Sequence, residues 1–423
     1  MKVLLVGGGG REHALAWKIA QSPRVTRLYA APGNPGIAAH ATCVDIATED
    51  ADGLVDFAAA EAIDLTVVGP EVPLVAGLAD RFAAKGLLVF GPRAAAAAIE
   101  GSKAFAKALM ARHGVPTARF ETFDDARSAR RYCRTLGAPV VVKADGLAAG
   151  KGVLVCRTLA EADAAVAQCM EQRAFGAAGA TVVVEEFLRG EEASFFALVS
   201  GEHAVPFAAA QDHKTVFDGD VGPNTGGMGA YTPVAAMDAA MQARIMRTIV
   251  EPTVHALARE AEPYFGVLYV GLMLTEEGPK VIEFNCRFGD PETQPVMACS
   301  SGDLVPALLA VAGGERPPAM EPSRQAAVCV TLASGGYPGP YERGAAISGV
   351  EAAAALPGVH VFHSGTAMRE GALVTAGGRV LGVTAVAGDV PRAIQSAYDA
   401  VARIRFQGMH FRTDIGRRAP RPA

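Results

Sequence analysis

The chain opens on an apolar run that stops at four consecutive glycines and restarts as a helix, MKVLLVGGGGREHALAWKIAQ. No other stretch narrows the fold as much. A short run of branched aliphatic residues without polar alternation reads as a strand buried on both faces. Glycine permits the tight turn from that strand into a helix. Such a unit needs neighbours of its own kind, and two follow: IDLTVVGPEVPLV from Ile63 and GLLVFGP from Gly86. We therefore expect a doubly wound parallel-sheet domain over residues 1–102, with its loops, APGNPG at 31–36 among them, gathered on one rim. The helix N-terminus behind the glycines can hold an anion, with Arg11 as a candidate contact. The plain alternative is a turn that only packs the helix on the sheet. Dinucleotide binding is excluded, because the third position of G-x-G-x-x-G falls on Glu12 or His13. The next strand, VTRLYAAPG, also ends without an acidic residue for a ribose hydroxyl. Glu71 stands on the same rim, where it serves either a ligand or its own helix N-terminus.

A chain of 423 residues exceeds one compact core, so further domains must follow. GSKAFAKALMARHGVPT is a helix with Ser102 as N-cap, Gly114 at its C-terminal end and Pro116 beyond. Next, APVVVKADGLAAGKGVLVC sets two apolar strands around a loop of Gly and Ala, with Lys143 ending the first strand and Lys151 inside the loop. A Walker loop needs GxxxxGK[ST] leading into a helix; here the lysine precedes Gly152 and a strand follows, so this is a β-loop-β flap suited to lie over phosphates. The strand-turn-strand TVVVEEFLRGEEASFFALVS brings Glu185, Glu186, Phe187, Leu188 and Glu192 together. Its turn reads either as a backbone edge for an adenine with a carboxylate for ribose, or as a charged edge that resists aggregation. Residues 211–233, QDHKTVFDGDVGPNTGGMGAYTP, lack a regular apolar period and are expected to form a long functional loop bearing Asp212, Lys214 and Asn224.

KVIEFNCRFGDPETQP, 280–295, carries the densest chemistry. Glu283 and Asn285 are two apart on a strand and leave one face together. A carboxylate and an amide oxygen beside Arg287 suit a magnesium ion that is itself gripping phosphates. The bland reading is a strand end with a solvated turn. Beyond Arg316, Pro317 and Pro318, which read as a linker, several short strands and a helix N-capped by Asp389 predict an antiparallel sheet with a helix. Gly377 and Gly378 read there as a hairpin turn with Arg379 at its mouth.

A net charge of −5 implies no broad basic surface for nucleic acid. The seven cysteines lie apart without a CxxC pair, which points to reduced thiols and cytosol. No apolar run nears the roughly 18 residues that span a bilayer, and with a strand at the very start no secretory leader is expected. A cytoplasmic protein without membrane or nucleic-acid partners is expected, a monomer in the first place, with an oligomer left open by the sequence.

The motifs GSKAF, VVKADGLAAGKGV, EEFLRGEEASF, DHK, GPNTGGMGAY and VIEFNCRFGDPETQP occur in that order. With them the chain resembles the ATP-grasp ligases, and among these the phosphoribosylamine–glycine ligase family, from GGGGREHALAW to GGRVLGVTA and RTDIGRR. The family's first loop commonly reads GxGGREHA, and Gly8 stands at its variable position. The resemblance implies an N-terminal α/β domain (1–102), a central ATP-grasp domain (103–320) whose small mobile lobe covers about 123–190, and a C-terminal α+β domain (321–423). It implies ATP and Mg²⁺ or Mn²⁺ as cofactors, with glycine and 5-phosphoribosylamine joined through a glycyl phosphate in purine synthesis. Lys103, Lys143 and Lys151 are then expected on the ATP phosphates, and Glu185, Glu186, Phe187 and Leu188 in the adenine hinge. Glu192 falls to the ribose, Asn224 to the nucleotide, and Glu283 and Asn285 to the metal. Arg287, Lys214 and Asp212 are the expected catalytic groups; Arg11, Glu71, Asp290, Thr293 and Arg379 are the expected substrate contacts.

Overall fold

The computed structural model describes residues 1–148, 152–321 and 323–417. Strands β1 (Lys2–Gly7), β2 (Arg27–Pro32), β3 (Thr42–Cys43), β4 (Leu65–Val68) and β5 (Val89–Phe90) form a parallel sheet in the order β3-β2-β1-β4-β5. Side chains alternate between its faces. Leu4 and Val6 join one core with Phe195, Ala197 and Val199, whereas Val3 and Leu5 join another with Phe196 and Leu198. Both faces are therefore sealed, which is why these strands read as unbroken apolar runs. Strand order reverses at β1, so the crevice for a ligand lies outside the ends of β1 and β4. The helices that leave those ends, Gly10–Ile19 and Glu71–Val75, carry Arg11 and Glu71.

A separate antiparallel sheet forms the small lobe: β6 (Phe120–Phe123), β7 (Val140–Ala144), β8 (Val153–Cys156) and β9 (Val182–Glu186), in the order β6-β9-β7-β8. Helices Ala126–Leu136 and Leu159–Val166 pack on it, and Val140, Val142, Val182 and Val184 share a core with Ala129, Cys133, Ala162 and Val166. Side-chain caps start both helices: Asp125 accepts from the Ser128 N–H at 3.0 Å and Thr158 from the Glu161 N–H at 3.2 Å.

The remaining strands are β10 (Glu191–Gly201), β11 (His203–Asp212), β12 (Thr215–Phe217), β13 (Val221–Asn224), β14 (Gly229–Thr232), β15 (Tyr264–Thr275), β16 (Gly278–Asn285), β17 (Ala326–Ala333), β18 (Val359–His363), β19 (Thr366–Arg369), β20 (Ala372–Thr375) and β21 (Arg379–Ala387). Eight of them make one sheet, β16-β15-β10-β11-β14-β17-β21-β18. The antiparallel C-terminal sheet thus continues the central one through β14, which pairs with β11 on one side and β17 on the other.

Two local expectations change. Residues 211–233 are not an irregular loop: they hold the hairpin β12–β13 and the bridging strand β14. The hairpin pairs at Thr215–Asn224 and Phe217–Val221 with a register shift between them, so it leaves no alternating pattern to read. Gly377 and Gly378 do not turn a hairpin either, because β20 pairs with β19 and β21 belongs to the large sheet. They carry the chain between sheets, where a Cβ on Gly377 would meet the Gly365 backbone at 2.9 Å. Among the described residues no helix is long and apolar enough to cross a membrane.

Candidate active site

A cleft of about 390 Å³ is lined by the small lobe, the end of β16 and the rim of the N-terminal sheet. β16 delivers Glu283 and Asn285 to it from one face. Glu283 Oε1 lies 3.3 Å from Lys214 Nζ. That ammonium above all, with Lys143 and Lys103 behind it, holds the Glu283 carboxyl at about 2 in spite of burial. An ionised carboxylate and an amide oxygen fit a hard divalent cation. Among the described residues no group of three or more His, Cys, Asp or Glu can hold a metal, so this pair supplies only part of the oxygen shell that such an ion takes.

Across the cleft, Glu185 sits between two lysines, 2.9 Å from Lys107 and 2.8 Å from Lys143, and all three are nearly fully buried. The Lys143 contact is a close ion pair without aligned hydrogen-bond geometry. Lys143 Nζ instead donates to the Ile282 carbonyl at 3.0 Å, which ties the small lobe to β16. Lys107 comes from the helix Lys103–Arg112 and also donates to Thr117 Oγ1 at 2.7 Å. Burial lowers it to about 8, against the pull of Glu185. Glu186 is likewise engaged, accepting from the Arg119 N–H at 3.0 Å and Nε at 2.7 Å. The side chains of Glu185 and Glu186 are thus engaged within the protein, and all four residues of 185–188 line the cleft. Lys103 Nζ donates to the Gly146 carbonyl at 3.0 Å at the foot of the flap. Lys151 lies outside the described residues.

The third wall is a chain of alternating charges. Arg287 reaches Glu71 at 3.1 Å and Glu100 at 2.9 Å, and Arg11 reaches Glu12 at 2.5 Å and Glu71 at 3.9 Å. Burial pushes Glu71 up, but Arg287 and Arg11 outweigh it and hold the carboxyl at about 2. Arg379 donates to the carbonyls of Gly226 (2.8 Å) and Asp290 (2.7 Å) and pairs with Asp290 Oδ2 at 3.2 Å. Burial and then the neighbouring Glu292 raise Asp212 well above the usual carboxylate range. Glu192 and Asn224 also line the space.

Two expectations need adjusting. The Gly9 N–H already donates to Glu12 Oε2 at 2.7 Å, and a Cβ at Gly7 or Gly69 would lie 2.3 or 2.2 Å from the Glu12 side chain. The glycines make room for Glu12, so packing accounts for the turn, while Arg11 still lines the cleft. Thr293 is not part of the cleft lining; it is buried at the start of the helix Thr293–Cys299, with its hydroxyl donating to the Gly289 carbonyl.

Three charged lining residues have no role assigned from the sequence. Lys107 carried a usable signal, since it follows Lys103 by one helical turn on the same face. Glu292 stood inside the polar run after β16; its carboxylate accepts from Ser194 Oγ at 3.0 Å. Glu100 ends an alanine helix and had no local mark, yet it accepts the Cys286 N–H at 2.7 Å.

Three family models match in order: the N domain of phosphoribosylglycinamide synthetase over 1–100, its ATP-grasp (A) domain over 101–293 and its C domain over 327–418. A phosphoribosylamine–glycine ligase of Rhizobium meliloti (strain 1021) is 56% identical over 420 residues, 99% of both chains. One of Pseudomonas aeruginosa is 52% identical over 425 residues, covering 99% of this chain and 98% of that one. The crystal structure of the Thermotoga maritima phosphoribosylamine–glycine ligase superposes with a TM-score of 0.85 at 33% identity, over 98% of this chain and 100% of the other. A biotin carboxylase of Campylobacter jejuni shares the fold alone, with a TM-score of 0.75 at 15% identity over 97% of this chain and 92% of that one. A cleft of lysines facing a carboxylate–amide pair, on a fold matched domain by domain and at more than half identity end to end, leads to one conclusion: this chain belongs to the phosphoribosylglycinamide synthetase family.

Proposed function

We propose that the chain joins glycine to 5-phosphoribosylamine at the cost of ATP, giving glycinamide ribonucleotide, ADP and phosphate for purine synthesis. The observation that carries this reading is the meeting of three sets of side chains in one cleft: the small-lobe lysines, the Glu283–Asn285 pair, and the arginines Arg287 and Arg379 beside the N-terminal rim. ATP binds with its phosphates toward Lys103 and Lys143 and its adenine against the backbone of 185–188. Glu283 and Asn285 would hold Mg²⁺ or Mn²⁺, which when bound offsets phosphate charge and polarises the γ-phosphoryl group.

In the first step a glycine carboxylate oxygen bonds to the γ-phosphorus, the bond from that phosphorus to the β–γ bridging oxygen breaks, and ADP leaves. In the second, the amine of phosphoribosylamine bonds to the acyl carbon, the carbon–oxygen bond to phosphate breaks, and the amine gives up a proton. Two anions must meet in the first step, so charge neutralisation and alignment dominate it. Lys214 and Arg287 supply the positive charge, with Arg287 held in place by Glu71 and Glu100. Asp212, with its raised carboxyl, is suited to exchange the proton of the second step. Arg11, Glu71, Asp290 and Arg379 lie on the side away from the small lobe and are assigned to the two substrates. Water would hydrolyse the acyl phosphate, so the flap between β7 and β8 is assigned the lid role.

A coupled assay for ADP tests the reading, with ATP, glycine and freshly made phosphoribosylamine each omitted in turn. ADP release is expected only when all three are present. Release supported by bicarbonate without glycine would instead assign the site to a carboxylase.

A further inference from the structure

Among the described residues of the stretch RTDIGRR, 412–417 line no part of the cleft, yet Arg412 is 1% exposed, the least accessible arginine side chain among those the core contains. Its Nε and Nη2 donate to the two oxygens of Asp414, each at 2.7 Å. Its Nη1 donates to the Thr215 carbonyl at 3.2 Å and to Thr215 Oγ1 at 2.8 Å, and both Nη atoms reach Asp220 Oδ1 at 3.1 Å. Thr215 directly follows Lys214 and opens β12, while Asp220 lies in the turn before β13. The grip is repeated by neighbours. The Thr413 N–H donates to Asp218 Oδ1 at 2.8 Å and its hydroxyl to Asp218 Oδ2; the Gly219 N–H donates to Asp414 Oδ2 at 2.9 Å; His410 Nε2 meets the Val216 carbonyl at 2.8 Å. The segment is itself fixed to the helix Val390–Val401, because Tyr398 Oη donates to the Arg412 carbonyl at 2.8 Å and accepts the Ile415 N–H at 3.1 Å.

A two-stranded hairpin with a register shift is not stable on its own in water. This one connects Lys214 to Asn224, and the Thr225 N–H returns to the Lys214 carbonyl at 2.7 Å. We propose that Arg412, through its fork on Thr215 and Asp220, is a positioning residue for the phosphoryl-transfer site: the C-terminal segment clamps the β12–β13 hairpin and so sets the place of Lys214 against Glu283. This rests on the ligase reading for the role of Lys214, and the clamp itself is geometry independent of substrate.

The test uses the full chain with Arg412→Lys, which keeps the charge toward Asp220 and Asp414 but lacks the planar fork. Misplacing a reacting group by about 1 Å costs up to about a hundredfold, so kcat should fall about ten- to a hundredfold with the KM for ATP held within about twofold. Amide hydrogen exchange over 213–226 should quicken while that of β1 and β4 stays as in the parent. A folded Arg412→Lys variant with parental kcat and parental exchange in the hairpin overturns the proposal. If Arg412→Lys does not fold, Asp218→Ala, an exposed change that removes both acceptors for Thr413, carries the test: slower turnover with faster hairpin exchange supports the clamp, and parental values of both overturn it. A parent chain that makes no ADP from glycine and phosphoribosylamine would sink the ligase reading instead, and the exchange measurement would still decide the clamp.

Discussion

Replacing Glu185 by Gln isolates the charge balance of the cleft. The substitution keeps shape but removes the carboxylate from between Lys107 and Lys143, which lie 2.9 and 2.8 Å from it. With an effective dielectric of about 20, each contact is worth about 6 kcal/mol of gross attraction. Most of that is offset by the relief of burying one charge fewer. Lys107 also has an escape, since it can shed its proton: starting from about 8, that costs only about 1.4 kcal/mol at pH 7. Lys143 then carries the rest, and a net loss of about 3 kcal/mol follows, at the low end for breaking a buried ion pair.

The pH dependence has a definite sign. The folded chain holds Lys107 below its ordinary value, so between about 8 and 10.4 the unfolded chain binds more protons and stability rises with pH by up to about 1.4 kcal/mol per unit. In the Glu185→Gln variant that rise begins below pH 7. The deficit should therefore narrow from about 3 kcal/mol at pH 7 to about 1.5 at pH 9. Urea unfolding followed by circular dichroism at the two pH values measures both quantities. A variant as stable as the parent at pH 7, or a deficit that does not narrow by pH 9, would refute the reasoning.

Glu283→Ala should lower turnover at least about a hundredfold at saturating divalent metal while the melting curve stays cooperative, since one of the two proposed metal ligands is gone; near-parental activity would remove Glu283 from that role. Arg287→Lys keeps a cation but loses the fork that spans Glu71 and Glu100, so kcat/KM should drop about a hundredfold, or about 2.7 kcal/mol in transition-state stabilisation. Steady-state kinetics decide it, and a drop of only a fewfold counts against the arrangement. Tyr264→Phe removes the buried hydroxyl that donates to the Val267 carbonyl at 2.8 Å; thermal melting should show a loss of about 1–1.5 kcal/mol, and an unchanged midpoint would contradict it.

Short-range features were readable because they depend on spacing along the chain. The N-caps at Ser102 and Asp389 both form as their residue types predict. The apolar run at β1 is buried on both faces, and Glu283 and Asn285 share a face of β16 because side chains alternate on any strand. The hairpin at 215–224 was not readable, since two ladder pairs and a register shift have no period. Thr293 reads from its polar neighbours as a substrate contact, although a hydroxyl at the first turn of a helix readily bonds backwards to a carbonyl.

By itself the sequence determined the opening strand-turn-helix unit, the helix caps, the family, and which residue types crowd the end of β16. Only the tertiary structure decided which charge answers which. Arg287 finds Glu71 across 216 positions, and Arg412 finds Thr215 across 197. Glu185, which reads locally as part of an adenine edge, becomes the counter-ion of two lysines. The reason is physical: periodicity and capping are local interactions, whereas the worth of an ionic contact depends on burial and on partners that the chain brings together only when its sheets close.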